Sequence, residues 1–355
     1  MRSVHSSKQQ RILTPVWSPV SWLAGFLLLL SGQFLMAQDV PIVSGGIGFF
    51  NSTNTGVNFF QPVLAPVVVV PIGKHLLAES RFDFREFYIQ QNRTGPYQGT
   101  FNKSIPYLQL NYIATPKLTF TAGRFLTPFG TYNERLSPIW IQNFQDFPLI
   151  FGIGTRTTGS SDGAMIRGTF ISKPAVQVNY VGYFSASSNV GQFQAARSAG
   201  DRIEIYFPSK RIEIGTSYAR FLQGTHNNSI GTHFWWQPWR SPLQVRSEYA
   251  HGEHAQGYWL ESSYRLSQWR GPDSILGRVE PLFRMQQVFR NSPGPGDGLP
   301  AADTKQADFG LDYHFPHEVR LNTSYSREFS TTGNANIWDM SLTYRFLLPV
   351  WRGHK

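Results

Sequence analysis

The chain has 355 residues, no cysteine, 15% charged and 15% aromatic residues, and a formal net charge of +10. Soluble domains carry about 25% charged residues, so this composition argues against a surface that faces water everywhere, and the missing cysteine excludes a disulfide scaffold. The basic residues are dispersed rather than gathered in a patch, which argues against nucleic acid as a partner.

Arg2, Lys8 and Arg11 precede the apolar run "WLAGFLLLL" (22–30), and "SGQFLMAQ" offers a cleavage site after Ala37. This is the build of a secretory signal peptide over 1–37. The apolar run falls well short of the roughly 20 residues that a spanning helix needs. The leader holds three basic and no acidic residues, so its removal leaves 318 residues with a net charge of +7. Residues 38–355 read as one large β-domain.

Helical periodicity is nearly absent from that domain, and extended segments follow one another. "GGIGFF" (45–50) marks the first. "GVNFFQPVLAPVVVV" (56–70) is extended but broken by proline, and "ESRFDFREF" (79–87) sets Arg81, Asp83 and Arg85 against Phe82 and Phe84. "RIEIGTSYA" (211–219) sets Ile212, Ile214, Thr216 and Tyr218 against Arg211, Glu213 and Ser217, whereas the facing of "IGTHFWWQPW" (230–239) is not assignable. "KQADFGLDYHF" (305–315), "VRLNTSYS" (319–326) and "IWDMSLTYRF" (337–346) alternate cleanly. Side chains of a strand alternate between its faces, so each segment has an apolar and a polar row. A soluble sandwich buries the apolar row; a membrane barrel turns it to lipid and keeps the polar row around a wet interior.

The connections favour the barrel. Tight ones fall at 114–117, 172–174, 208–211, 240–242 and 316–318, and longer Gly-, Asn- and Ser-rich stretches at 187–200 and 291–303. Counting back from the C-terminus predicts an all-β transmembrane antiparallel barrel of about 16 strands, between 14 and 18, with short periplasmic turns and long external loops. Residues 127–160 then form a third external loop. Such a length is functional or disordered as a rule, and its Phe, Ile, Trp and Pro content favours folding against the inner wall of the barrel.

A long third loop on such a barrel resembles the general porins, whose third loop narrows the channel. "TAGRFLTPFGTYNER" (121–135) resembles the Gly-Arg…Pro-Phe-Gly stretch of the phosphate-selective porin O and P type, and "LTYRF" (342–346) is similar to the C-terminal aromatic signal read by the barrel assembly machinery. Nine residues follow Phe346, which departs from that signal. Lysine is confined in the barrel region to Lys74, Lys103, Lys117, Lys173, Lys210 and Lys305, so phosphate specificity is not carried over. The resemblance implies a Gram-negative outer-membrane porin, a homotrimer among lipid and lipopolysaccharide, passing small hydrophilic solutes by passive diffusion without a cofactor.

On that reading the polar rows line the pore. Arg81, Asp83, Arg85, Arg167, Arg246, Arg284 and Arg320 take inward parity, as do Arg202, Arg211 and Arg345. Glu134, Arg135 and Asp146 on the long loop are the candidates for a constriction. Fixed charges around a lumen set its barrier to ions, and +7 predicts a weak anion preference. The same arginines have a structural reading, pairing with inward carboxylates; Arg246 with Glu248 and Glu261 with Arg265 are the expected pairs. Trp235, Trp236, Trp239, Trp259, Trp269 and Trp338 are expected in interfacial girdles. No catalytic or metal site is assigned: "HGEH" (251–254) sits at a turn with no helix to align ligands, and the glycines of "GGIGFF" lack the context of a phosphate loop. An outer-membrane barrel enzyme hydrolysing lipid or peptide, a barrel plugged by 127–160, and a soluble secreted β-protein are the alternatives.

Overall fold

A computed structural model describes residues 40–155, 159–188, 195–223, 226–292 and 297–349. The expected leader, 1–37, and the last six residues lie outside them. Sixteen strands occur in the order β1 (Ile42–Asn54), β2 (Val57–Ile72), β3 (Leu76–Gln90), β4 (Tyr97–Thr115), β5 (Leu118–Leu126), β6 (Ser160–Lys173), β7 (Val176–Ser188) and β8 (Ala195–Phe207). They continue as β9 (Ile212–Phe221), β10 (Asn228–Trp236), β11 (Leu243–His251), β12 (Ala255–Tyr264), β13 (Val279–Arg290), β14 (Thr304–His314), β15 (Val319–Ser330) and β16 (Gly333–Pro349). Each strand pairs with its sequence neighbours, and β1 pairs antiparallel with β16 from Ile42 opposite Pro349 to Asn54 opposite Ile337, which closes the barrel. Closure leaves no strand edge unpaired.

The polar row faces inward. On β16, Trp338, Met340, Leu342 and Tyr344 are exposed on the outside, whereas Ile337, Asp339, Ser341 and Thr343 are buried. On β14, Phe309 and Leu311 lie outside, and Gln306, Asp308 and Asp312 lie within. The strand continues beyond Phe346 through Leu347 and Leu348, both exposed, with Leu348 extending the outward row.

Prolines do not interrupt β2. Its register with β1 is continuous through Pro62 and Pro66, but pairing with β3 skips 61–62 and 65–66. Proline lacks an N–H, and both residues direct that missing donor toward β3.

Connection lengths are less lopsided than expected. The end of the barrel holding 73–75 and 116–117 also holds 265–278, while the opposite end has two-residue turns at 55–56 and 331–332 beside the long 127–159 and 291–303. Length resides in strands instead: β4 has 19 residues and β16 has 17, against the roughly 9–11 that cross a bilayer.

Two parity expectations are corrected. Trp259 is wholly buried on the inner face with Glu261, and Trp235 packs against the same inner cluster, so neither belongs to a girdle; Trp239, Trp269 and Trp338 are exposed. Arg211 is a turn residue with φ +52° whose guanidinium lies 5.5 Å from the Trp239 ring, so it does not line the lumen. Much of the apolar core is likewise unusual in placement: it lies between the crossing segment 127–159 and the inner wall, in one cluster around Phe129, Tyr132, Ile150 and Trp259 and another around Phe50, Val63 and Ile139, while a third, Phe125, Met165, Val181 and Tyr183, lies among β5, β6 and β7.

Candidate functional site

Segment 127–159 leaves β5, crosses to strands as far round as β15, and returns to β6. Its base is closed by Thr127 Oγ1 against Ser161 Oγ at 2.8 Å and by the Asn133 amide, which donates to the carbonyls of Gly159 and Thr127 at 2.6 and 3.0 Å. Gly130 turns the chain with φ +64°; a Cβ there would lie 2.8 Å from the Glu248 carboxylate, so only glycine fits. Its N–H donates to Ser217 Oγ at 3.1 Å and its carbonyl accepts from Arg202 at 2.7 Å.

A five-residue π-helical turn follows, Tyr132–Leu136. The first N–H groups of a helical turn have no internal partner. Glu248 supplies one: its Oε1 accepts from the N–H and hydroxyl of Thr131 and from the N–H of Tyr132, while its Oε2 accepts from Trp259 Nε1 at 3.2 Å. The expected Arg246–Glu248 pair is therefore replaced. Register sets Arg246 opposite Glu261, and they pair at 3.1 Å. Arg265, expected to meet Glu261, donates instead to the Gly277 carbonyl at 3.4 Å.

The charged residues of the turn join a network on β6, β8 and β9. Glu134 accepts from Arg167 at 2.6 Å and pairs with Arg202 at 2.7 Å. Arg135 meets Glu204 at 2.9 Å and Glu213 at 2.5 Å, and Arg202 also meets Glu204 at 2.8 Å. Burial alone would raise the Glu134 pKa, but Arg202 and Arg167 outweigh it and hold it down at about 2. His233 completes this group, its Nε2 3.4 Å from Glu213 and 3.9 Å from Glu204. Glu204, Glu213 and His233 have ligand spacing for a metal, as do Glu280, Asp312 and His314. Arginine already pairs with carboxylates in both: Arg135 and Arg202 in the first, Arg320 in the second.

Further on, the segment is tied to the far wall. Ile139 and Trp140 seat against β1, where Gly46 and Gly48 leave the room; a Cβ on Gly46 would come within 2.7 Å of the Trp140 ring. Arg320 donates to the carbonyls of Gln142 at 2.5 Å and Ile139 at 3.3 Å, and pairs with Asp312 at 3.3 Å. The Asn143 amide donates to Glu261 at 2.9 Å. Arg284 meets Asp308 at 2.6 Å, donates to the Asp146 carbonyl at 3.0 Å and lies 4.6 Å from the Phe144 ring. Arg246, Arg284 and Arg320, expected along the lumen, thus stand where the segment meets the wall.

The opposite wall is more open. On β3, Asp83 lies 3.4 Å from both Arg81 and Arg85. A cavity of about 450 Å³ opens beside Tyr107, Gln109, Glu134, Arg135, Arg167 and Arg202. Sequence parity places Arg202, Glu204, Glu213 and Glu248 inside, but gives no sign that all four serve the crossing segment.

No protein-family model matches the chain, and no curated protein does. Solved structures do. A loop L8 deletion mutant of OmpT, an outer membrane protein of Vibrio cholerae, superposes with a TM-score of 0.55 at 11% identity, over 87% of this chain and 100% of that one. Pseudomonas putida OprB gives 0.55 at 10% identity, over 93% and 98%. An anion-selective porin from Comamonas acidovorans gives 0.54 at 10%, over 87% and 100%. The chain has the fold of the 16-stranded outer-membrane porins. At such identities the likeness is one of fold.

Proposed function

We propose that this protein is an outer-membrane porin that gives small hydrophilic solutes and ions a passive path, leaning toward anions. The aperture lies between segment 127–159 and the wall of β3–β8. One observation carries this reading: the arginine side chains bordering the opening remain partly exposed, Arg135 at 32% and Arg167 at 38%, while their carboxylate partners Glu134, Glu204 and Glu213 are withdrawn to 13%, 4% and 14%. At these pairs a solute meets guanidinium edges before carboxylate; Glu79, which lines the same cavity, accepts from the Gln109 and Asn111 amides. Arg85 and Asp83, at 24% and 7%, repeat the arrangement on β3. The outward apolar rows suit lipid. Export with loss of 1–37, insertion by the assembly machinery, a homotrimer and contact with lipopolysaccharide belong to the same proposal, as does the absence of any catalysed chemistry. Kinship with the phosphate-selective type rests on 121–135 and extends to how the loop begins, not to a phosphate site.

Reversal potentials under a salt gradient test the aperture. Arg135→Ala uncovers Glu204 and Glu213 and should shift selectivity toward cations, by about twofold or more in permeability ratio; Arg167→Gln should do so less, since Arg202 still covers Glu134. Unchanged potentials in both variants would remove the aperture from this wall. The density of bonds from 127–159 to β8–β15 favours a second reading, a plugged binding barrel, which would show no conductance.

A further inference from the structure

The charged cluster beneath the aperture contains one side chain that passive diffusion does not use. His233 on β10 is 3% exposed, and neither ring nitrogen has a hydrogen-bond partner among the described residues. Burying a polar group without a partner is costly, so an imidazole held in that state points to a ligand. Register explains where the ring goes. His233 lies opposite Gly215 on β9, and Gly215 lies opposite Glu204 on β8. The ring passes over Gly215: a Cβ there would overlap Cε1 and come within 2.6 Å of Nε2. Glycine at that position lets an imidazole on β10 reach across β9 toward Glu204, with Glu213 alongside. Nε2 stands 3.4 Å from Glu213 and 3.9 Å from Glu204, close to both and hydrogen-bonded to neither.

Those separations suit coordination. Tetrahedral zinc takes imidazole nitrogen and carboxylate oxygen at about 2.0–2.2 Å, which sets neighbouring ligand atoms about 3.3–3.5 Å apart. The three ligand atoms here lie within 4.8 Å of one another. One imidazole with two carboxylates favours zinc and its first-row neighbours, whereas magnesium and calcium prefer oxygen alone. The other cluster of this kind differs, because His314 Nε2 is already bonded to Glu280 at 2.8 Å.

Arg135 holds the ground the ion would take, 2.9 Å from Glu204 and 2.5 Å from Glu213. Its side chain is 32% exposed and belongs to the crossing segment, so the cavity beside it gives it room to withdraw. Arg202, 4% exposed, stays between Glu134 and Glu204. We infer that Glu204, Glu213 and His233 form a binding site for a divalent transition-metal ion, for which the ion and the Arg135 guanidinium compete. The ion enters from the cavity of about 450 Å³ that Glu204 and Arg135 line. The site rests on the porin reading only in that ions must reach that cavity. The ion's two charges offset two carboxylates, and Arg135, released, makes the aperture more cationic.

The test is calorimetric titration of zinc chloride into the untagged, detergent-solubilised barrel, with magnesium chloride as the control. Zinc should bind and magnesium should not. His233→Gln should weaken zinc binding by at least about tenfold, since even the loss of an outer-shell partner costs about 10- to 100-fold. Arg135→Ala removes the competitor and should tighten it by about 2- to 10-fold, the worth of one or two partly exposed ion pairs. A merely structural His233 would produce neither change. Equal binding of magnesium, or zinc affinity unchanged in His233→Gln, would overturn the site. Zinc binding that survives His233→Gln but vanishes in His314→Gln would also overturn it. Folding of each variant is checked by heat-modifiable gel migration; Glu213→Gln replaces His233→Gln if that variant fails. In a conducting channel, bound zinc should move the reversal potential further toward the anion side, and no movement would overturn the release of Arg135. Zinc binding without conductance would sustain the site and sink the porin reading, and conductance without zinc binding would do the reverse.

Discussion

Glu248 receives four donors in a site 9% exposed. Removing the carboxylate leaves buried N–H groups unsatisfied, at about 1–3 kcal/mol for each. Glu248→Ala should therefore destabilise the folded barrel by about 3 kcal/mol in urea titration and loosen the segment, and equal midpoints would contradict the role. Glu134 makes a pH prediction. Its folded pKa, about 2, lies below the ordinary 4.5. The linked stability is therefore fully present above pH 4.5 and is lost as pH falls toward 2. The difference in reversal potential between wild type and Glu134→Gln should persist from pH 7 to pH 4 and close near pH 2; closure already at pH 4 would place Glu134 in open water. The sequence assigns Glu248 to the interior by parity and Glu134 by the inward-folding loop. It could not choose their partners: Thr131 and Glu248 are 117 positions apart, and a strand's alternation says nothing about what crosses the lumen opposite it.

At the scale of elements, strand identity was legible because one face of each strand meets lipid and the other meets a polar interior, and period two records both. Two places resisted. The prolines of β2 looked like a break, yet they affect only the ladder to β3. "IGTHFWWQPW" was unreadable because β10 faces an apolar part of the crossing segment: Gly231 lies under Phe129, and Trp235 packs with that same cluster. The inner face there mixes Gly231 and Trp235 with the polar Ser229 and His233, so the usual contrast between the two rows is blurred. The glycines of "GGIGFF" have the same explanation. Gly46 and Gly48 mark where Ile139 and Trp140 press against β1. Gly46→Val should overpack that contact at a cost of about 1–3 kcal/mol, leave the barrel closed, and make 127–159 more susceptible to limited proteolysis. Wild-type stability and wild-type cleavage together would show that the contact is loose.

For the whole molecule, the barrel is a wall whose interior is divided by one crossing segment, apolar where they pack and charged where water remains. An even count of alternating strands lets β1 and β16 run antiparallel, and their pairing closes the order. The division of the interior does not, because it depends on contacts between residues far apart in sequence. Net charge does not say where in the lumen a charge acts, since most interior arginines are paired and what differs is how far each partner reaches into water. The central claim is an open, anion-leaning path beside the segment. Single-channel recording of the detergent-extracted protein in a planar bilayer, under a salt gradient, tests it most directly. Stable conductance steps with a reversal potential on the anion side are predicted; a folded barrel that gives no steps, or one that reverses on the cation side, would contradict the account.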